Sequence, residues 1–135
     1  MNTILILEDE ESVNRGIAFS LIKEGYNVLT CSTIKSAETI YEQSNPQLII
    51  CDINLPDGSG LDFVRNIRKR SNAHIICLTA LDQEVEQVMG YEAGADDYIT
   101  KPFSLSVLTL KVSAFFKKLG NEKVDVLQSG DICFY

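Results

Sequence analysis

Five short runs suited to β-strands alternate with five stretches of helical periodicity, and this order constrains the chain more than any other feature. Residues 3–7 (Thr-Ile-Leu-Ile-Leu), 48–51 (Leu-Ile-Ile-Cys) and 75–78 (Ile-Ile-Cys-Leu) are apolar almost throughout. They are too short for core helices. Apolar character on both faces is what a parallel strand between two helical layers needs. The run 26–30 is less apolar and predicts an edge strand, and 97–99 (Asp-Tyr-Ile) completes the set. Helices are predicted over 11–24, 33–43, 60–70, 83–92 and 104–118. The first carries Val13, Ile17 and Leu21 on one face and stops before Gly25. The third sets Leu61, Val64 and Ile67 opposite Arg65, Arg68, Lys69 and Arg70. The expected fold is α/β, a (βα)5 chain forming a doubly wound, five-stranded parallel sheet with helices on both faces.

Ligands of such sheets bind beyond the C-terminal ends of the strands. There the sequence places Glu8-Asp9-Glu10-Glu11, Asp52, Thr79 and Lys101-Pro102. Read singly, each has a plain explanation. The acids suit a helix N-terminus, Asp52 suits a loop cap, and Lys101 suits a solvated surface. Their joint occurrence at successive strand ends favours one site. Glu8, Asp9 and Asp52 offer only oxygen ligands, which suits a hard cation such as Mg²⁺. Lys101 adds an ammonium and Thr79 a hydroxyl, the parts of a small phosphoryl-transfer site. Asp52 is the candidate nucleophile, because a carboxylate can form an acyl phosphate. The chain has no GxxxxGK[ST] or GxGxxG loop, which disfavours a nucleotide-binding enzyme.

Composition narrows the function classes. The 135 residues hold 12 Lys plus Arg and 19 Asp plus Glu, a formal net charge of −7. Such a domain is poorly suited to grip a nucleic-acid backbone by itself. His74 is the single histidine, and Cys31, Cys51, Cys77 and Cys133 form no CxxC pair, which disfavours a zinc centre. The cysteines lie among apolar residues, as expected of buried free thiols in a reducing compartment. No signal peptide and no membrane-spanning run is evident, so the expected location is the cytoplasm, with no membrane partner.

Four motifs carry a family resemblance: ILILEDE at 4–10, LIICDINLPDGSGLDF at 48–63, IICLTA at 75–80 and GADDYITKPF at 94–103. Together and in this order they resemble the receiver domain of bacterial two-component response regulators, a flavodoxin-like fold. The resemblance covers nearly all of residues 1–119. It implies a regulatory phosphoacceptor, not an enzyme on a free substrate, that assists only its own phosphorylation and dephosphorylation. Asp52 would take a phosphoryl group from a sensor histidine kinase. Asp9, Asp52 and the carbonyl of Asn54 would bind Mg²⁺, with Glu8 acting largely through water. Lys101 would contact the phosphoryl group. Thr79 would be the switch hydroxyl and Tyr98 the aromatic that turns inward with it. Pro102 would follow a cis bond that aims Lys101, and Pro56, Gly58 and Gly60 would shape the loop after Asp52.

The segment 94–103 and the helix opening at 104–108 more closely resemble regulators with a winged-helix DNA-binding output. That likeness implies a homodimer through the fourth helix, fifth strand and fifth helix, bridged by Asp96, Asp97 and Lys111, with Glu84 and Glu92 as weaker participants. Residues 120–135 would be a linker and the truncated start of the output domain, with 124–135 resembling its first strand. DNA contact would belong to that missing domain. Three positions depart from the usual pattern or modulate it. Glu8 stands where many relatives have Asp, and Lys111 stands where Arg is usual, giving a point charge in place of a rigid fork. Leu81, two residues beyond Thr79, would slow hydrolysis of the phosphate by limiting water.

Overall fold

A computed structural model describes residues 2–80, 88 and 91–128. Five strands form one parallel sheet: β1 (Thr3–Leu7), β2 (Asn27–Cys31), β3 (Leu48–Asp52), β4 (His74–Ala80) and β5 (Asp97–Lys101), in the order β2-β1-β3-β4-β5. Helices α1 (Glu11–Lys23), α2 (Ile34–Ser44) and α3 (Gly60–Arg68) follow the first three strands, and a C-terminal helix spans Leu105–Gln128. The doubly wound (βα)5 expectation for the sheet and its flanking layers is met.

Alternation along the strands divides the interior into two layers. Leu5, Leu7, Ile49, Cys51, Ile75 and Cys77 pack with Ala37 and Tyr41 of α2 and Phe63, Val64 and Ile67 of α3. Ile4, Ile6, Leu48, Ile50, Ile76, Leu78 and Ile99 pack with Ile17 and Leu21 of α1 and Leu108, Val112 and Phe116 of the C-terminal helix. Local signals fix the helix ends. Gly25 turns the chain after α1 with φ +97°. Thr33 caps α2 by accepting from the Ser36 amide, and Ser59 caps α3 by accepting from that of Leu61.

Two expectations change. Asn54–Leu55 and Gly58–Ser59 pair as a small antiparallel hairpin inside the loop after β3, where no strand is predicted. The last helix does not stop at 118. It runs through Gln128, so residues 124–128 are helical where the resemblance implies a strand. No proline interrupts this stretch, and one glycine, Gly120, costs a helix only about 1 kcal/mol. The helix predicted over 83–92 lies mostly outside the described residues, as do Leu81 and Glu84. Within it, Val88 and residues 91–92 are helical. Among the described residues, no helix is long and apolar enough to cross a membrane.

Candidate functional site

The site forms where β1, β3 and β5 release the chain at one edge of the sheet. Glu8 follows the buried strand β1, and its side chain is fully buried. Its Oε2 accepts from the Glu10 amide at 2.9 Å, and its own amide donates to the Cys31 carbonyl at 3.1 Å. Asp9, the next residue, is exposed. Asp52 closes β3 with its side chain only 7% exposed, and Oδ1 accepts from the Asn54 amide at 3.4 Å. Carboxylate oxygens of Glu8, Asp9 and Asp52 all lie within 4.8 Å of one another.

Lys101 closes β5 and turns its ammonium into this cluster, 2.9 Å from Glu8 Oε1 and 3.3 Å from Asp52 Oδ2. The Lys101–Pro102 bond is cis, as the resemblance implies. Burial pushes the Asp52 carboxyl up to about 6, and the neighbouring Glu8 charge pushes the same way against Lys101. Burial works to lower the Lys101 ammonium, but contact with Glu8 and the charge of Asp52 outweigh it, so its net shift is upward. The site is therefore a cluster of acids whose charge a single ammonium only partly offsets.

The donor set fits a hard divalent cation. Three carboxylates converge, and all their ligand atoms are oxygen. Glu8 Oε1 is buried and has no hydrogen-bond partner among the described residues. The Lys101 ammonium, 2.9 Å away, is its charge partner. With one charge partner, this buried carboxylate oxygen keeps lone-pair capacity that a cation or its waters could use.

The other expected residues divide into groups. Thr79 is buried on β4, in register with Thr100 of β5. Tyr98 pairs with Cys77, so strand alternation puts it on the same sheet face as Thr79. It is half-buried, edge-on to Tyr91 with ring centroids 5.1 Å apart. Asp97 and Lys111 come together within the chain, 2.8 Å apart. Asp96 is held elsewhere, 2.7 Å from Arg68 Nη2 and accepting from the Ile75 amide at 2.9 Å. Glu92 is exposed.

Sequence reasoning missed three side chains. Arg68 reads as part of a solvated basic face, yet it donates to the carbonyls of Gly94, Ser71 and Ala73 besides pairing with Asp96. Asp57, between Pro56 and Gly58, is not singled out by the sequence, yet its carboxylate accepts from the Ile34 and Lys35 amides at the start of α2. Asn14 donates to the carbonyls of Glu8 and Cys31. Each of the three side chains makes at least one bond to a distant segment, which periodicity does not reveal. Gly60 has a clear local reason, since a Cβ there collides with the Asp52 carbonyl oxygen.

A sequence model of the response regulator receiver domain matches residues 4–113. The chain is 35% identical over 136 residues to the sensory transduction protein RegX3 of Mycobacterium tuberculosis, covering 98% of this chain and 60% of the relative. The chain thus spans less than two thirds of that relative's length. The receiver domain of the TMAO respiratory system response regulator TorR superposes with a TM-score of 0.83 at 34% identity, covering 87% of this chain and 98% of that one. The BeF3-activated receiver domain of Klebsiella pneumoniae RstA gives 0.79 at 31%, covering 84% and 97%.

Proposed function

The chain belongs to the response regulator receiver family, a family of regulatory phosphoacceptors, and on that premise we propose that Asp52 accepts a phosphoryl group from a sensor histidine kinase in a Mg²⁺-dependent step. The observation that carries this reading is the convergence of three carboxylates and the Lys101 ammonium at one edge of the sheet.

In this proposal Asp52 attacks phosphorus in line, and the histidine nitrogen leaves. Glu8, Asp9, Asp52 and the Asn54 carbonyl would hold the metal. When bound, Mg²⁺ neutralises charge on the oxygens of the transferring group. Lys101 pairs with the phosphoryl oxygens from the other side. Phosphorylation adds roughly −1.5 to −2 charge and three acceptor oxygens. Thr79 donates to one of these, and Tyr98 turns inward on the same face. This converts a local charge change into a packing change beside β5.

The readout is a homodimer through the fourth helix, β5 and the C-terminal helix. Asp97 and Lys111 would exchange their internal pair for pairs across the two-fold axis, and Asp96 would join them by releasing Arg68. Residues 1–119 constitute the receiver, and 120–135 lead into an output domain of the winged-helix class. The likeness of 94–103 and 104–108 to that subgroup supports this reading, as does the greater length of the RegX3 relative. DNA contact would belong to that further domain.

The test is intact-mass measurement after incubation with acetyl phosphate and Mg²⁺. The proposal expects a gain of one phosphoryl group, lost in Asp52→Ala and on metal chelation. No gain in the native chain would overturn it. Sizing with beryllofluoride addresses the dimer: a monomer with and without the mimic would remove that part.

A further inference from the structure

We propose that Asn14 is a positioning residue that fixes the Glu8–Asp9 segment in the arrangement needed to take up a divalent cation. This rests on the metal-binding reading above and adds a residue that the family motifs do not mark. Asn14 sits in the first turn of α1, where its amide donates to the Glu10 carbonyl at 2.9 Å. Its side-chain Nδ2 donates to the Glu8 carbonyl at 2.9 Å and to the Cys31 carbonyl at 3.1 Å. The Cys31 carbonyl also receives the Glu8 amide at 3.1 Å. One carboxamide thereby ties together the end of β1, the end of β2 and the start of α1.

The chemistry selects the residue type. Both acceptors are carbonyl oxygens, so two donors on one short, uncharged group are required. An aspartate there would turn a carboxylate toward two carbonyl oxygens and add charge to an acidic cluster. A leucine would leave both carbonyls without this donor. Helix α1 has no side-chain cap of its own at Glu10, so the Asn14 bonds are prominent among the side-chain restraints on the 8–11 turn.

Rigidity matters here because the three carboxylates repel one another. Asp9 is exposed, and the bond from Asn14 to the Glu8 carbonyl holds the peptide unit from which its side chain projects. Asn14 lines the same cleft of ≈ 340 Å³ as Glu8, Asp9, Thr30 and Ser32, which gives solvent and ions access. Holding the turn in advance lowers the reorganisation that metal binding must otherwise drive.

The test is calorimetric titration of the unphosphorylated chain with Mg²⁺, for the native protein and Asn14→Ala. The expected result is a roughly 10-fold weaker dissociation constant, the scale of a lost supporting bond at a metal site, with one site still filled. In phosphorylation by acetyl phosphate, the half-saturating Mg²⁺ concentration rises by a similar factor while the rate at saturating Mg²⁺ stays within about twofold. Should Asn14→Ala not fold by circular dichroism, Asn14→Ser removes the double bridge with a smaller change. An unchanged dissociation constant, or a loss of maximal rate with no shift in Mg²⁺ dependence, overturns the proposal. Failure of the native chain to bind Mg²⁺ at all would instead overturn the metal reading beneath it.

Discussion

The Lys101 ammonium lies 2.9 Å from the buried Oε1 of Glu8, and that oxygen makes no hydrogen bond among the described residues. The lysine thus offsets part of the charge of a cluster that holds three carboxylates. Lys101→Met should remove the nearest positive charge from both acids. At pH 7 without metal, the expected loss is about 1–3 kcal/mol of stability, read from urea unfolding. Added Mg²⁺ should restore more of that stability in the variant than it adds to the native chain.

Asp52 sets a pH dependence of definite sign. Its carboxyl is raised to about 6 in the fold, chiefly by burial and then by Glu8, from an ordinary 3.8. The native state therefore holds a proton that the unfolded state gives up between these values. Stability contributed here is present below about pH 4 and is lost as pH rises through 6. Asp52→Asn should stabilise the fold at pH 7.5 without Mg²⁺, by on the order of 1–3 kcal/mol. The gain should shrink toward pH 4. Thermal melts across this range measure it.

Arg68 spends its guanidinium on three carbonyls and Asp96, joining the end of α3 to the entry of β5. Gly94, at φ +118°, lies so close that a Cβ would come 2.8 Å from Arg68 Cγ. Arg68→Ala should cost about 2–3 kcal/mol, and Arg68→Lys should recover little, because an ammonium cannot match a planar fork with four acceptors. Chemical denaturation of both variants decides this.

The single histidine provides a clean probe. His74 stacks on Phe115 with centroids 4.5 Å apart, and Nδ1 is 3.7 Å from Asp96 Oδ2. Burial lowers its pKa, and the charges of Asp96 and Asp97 only partly oppose this. The unfolded chain therefore binds the proton more readily, and this contribution to stability rises with pH through the window just below 6.5. Proton NMR of the imidazole should give a midpoint below 6.5 in the folded chain. A midpoint above it would mean that Asp96 outweighs burial.

The sheet and its edge were legible because the relevant signals are local. Residues 3–7 are a strand for the same reason that they are apolar on both faces, and Asp52 and Lys101 terminate the strands that carry them. What was hidden depends on contacts between distant segments. Arg68 looks like any residue of a basic helix face until β5 arrives beside it, and Asn14 looks like an ordinary helical polar residue until β2 presents the Cys31 carbonyl. The short hairpin at 54–59 lacks the length or periodicity of a strand. The helix through Gln128 overrode the strand-like 124–128 because its hydrogen bonds are already in place from the preceding turns.

The central claim is that Asp52, and no other residue, becomes an acyl phosphate. Treating the chain with acetyl phosphate and Mg²⁺, trapping with borohydride and mapping the peptides by mass spectrometry tests it directly. Reduction of the acyl phosphate converts its aspartate to homoserine. That conversion is expected at Asp52 alone and only when Mg²⁺ is present. Homoserine formed from Asp9, 5-hydroxynorvaline formed from Glu8, or no reduction at any carboxylate would contradict it.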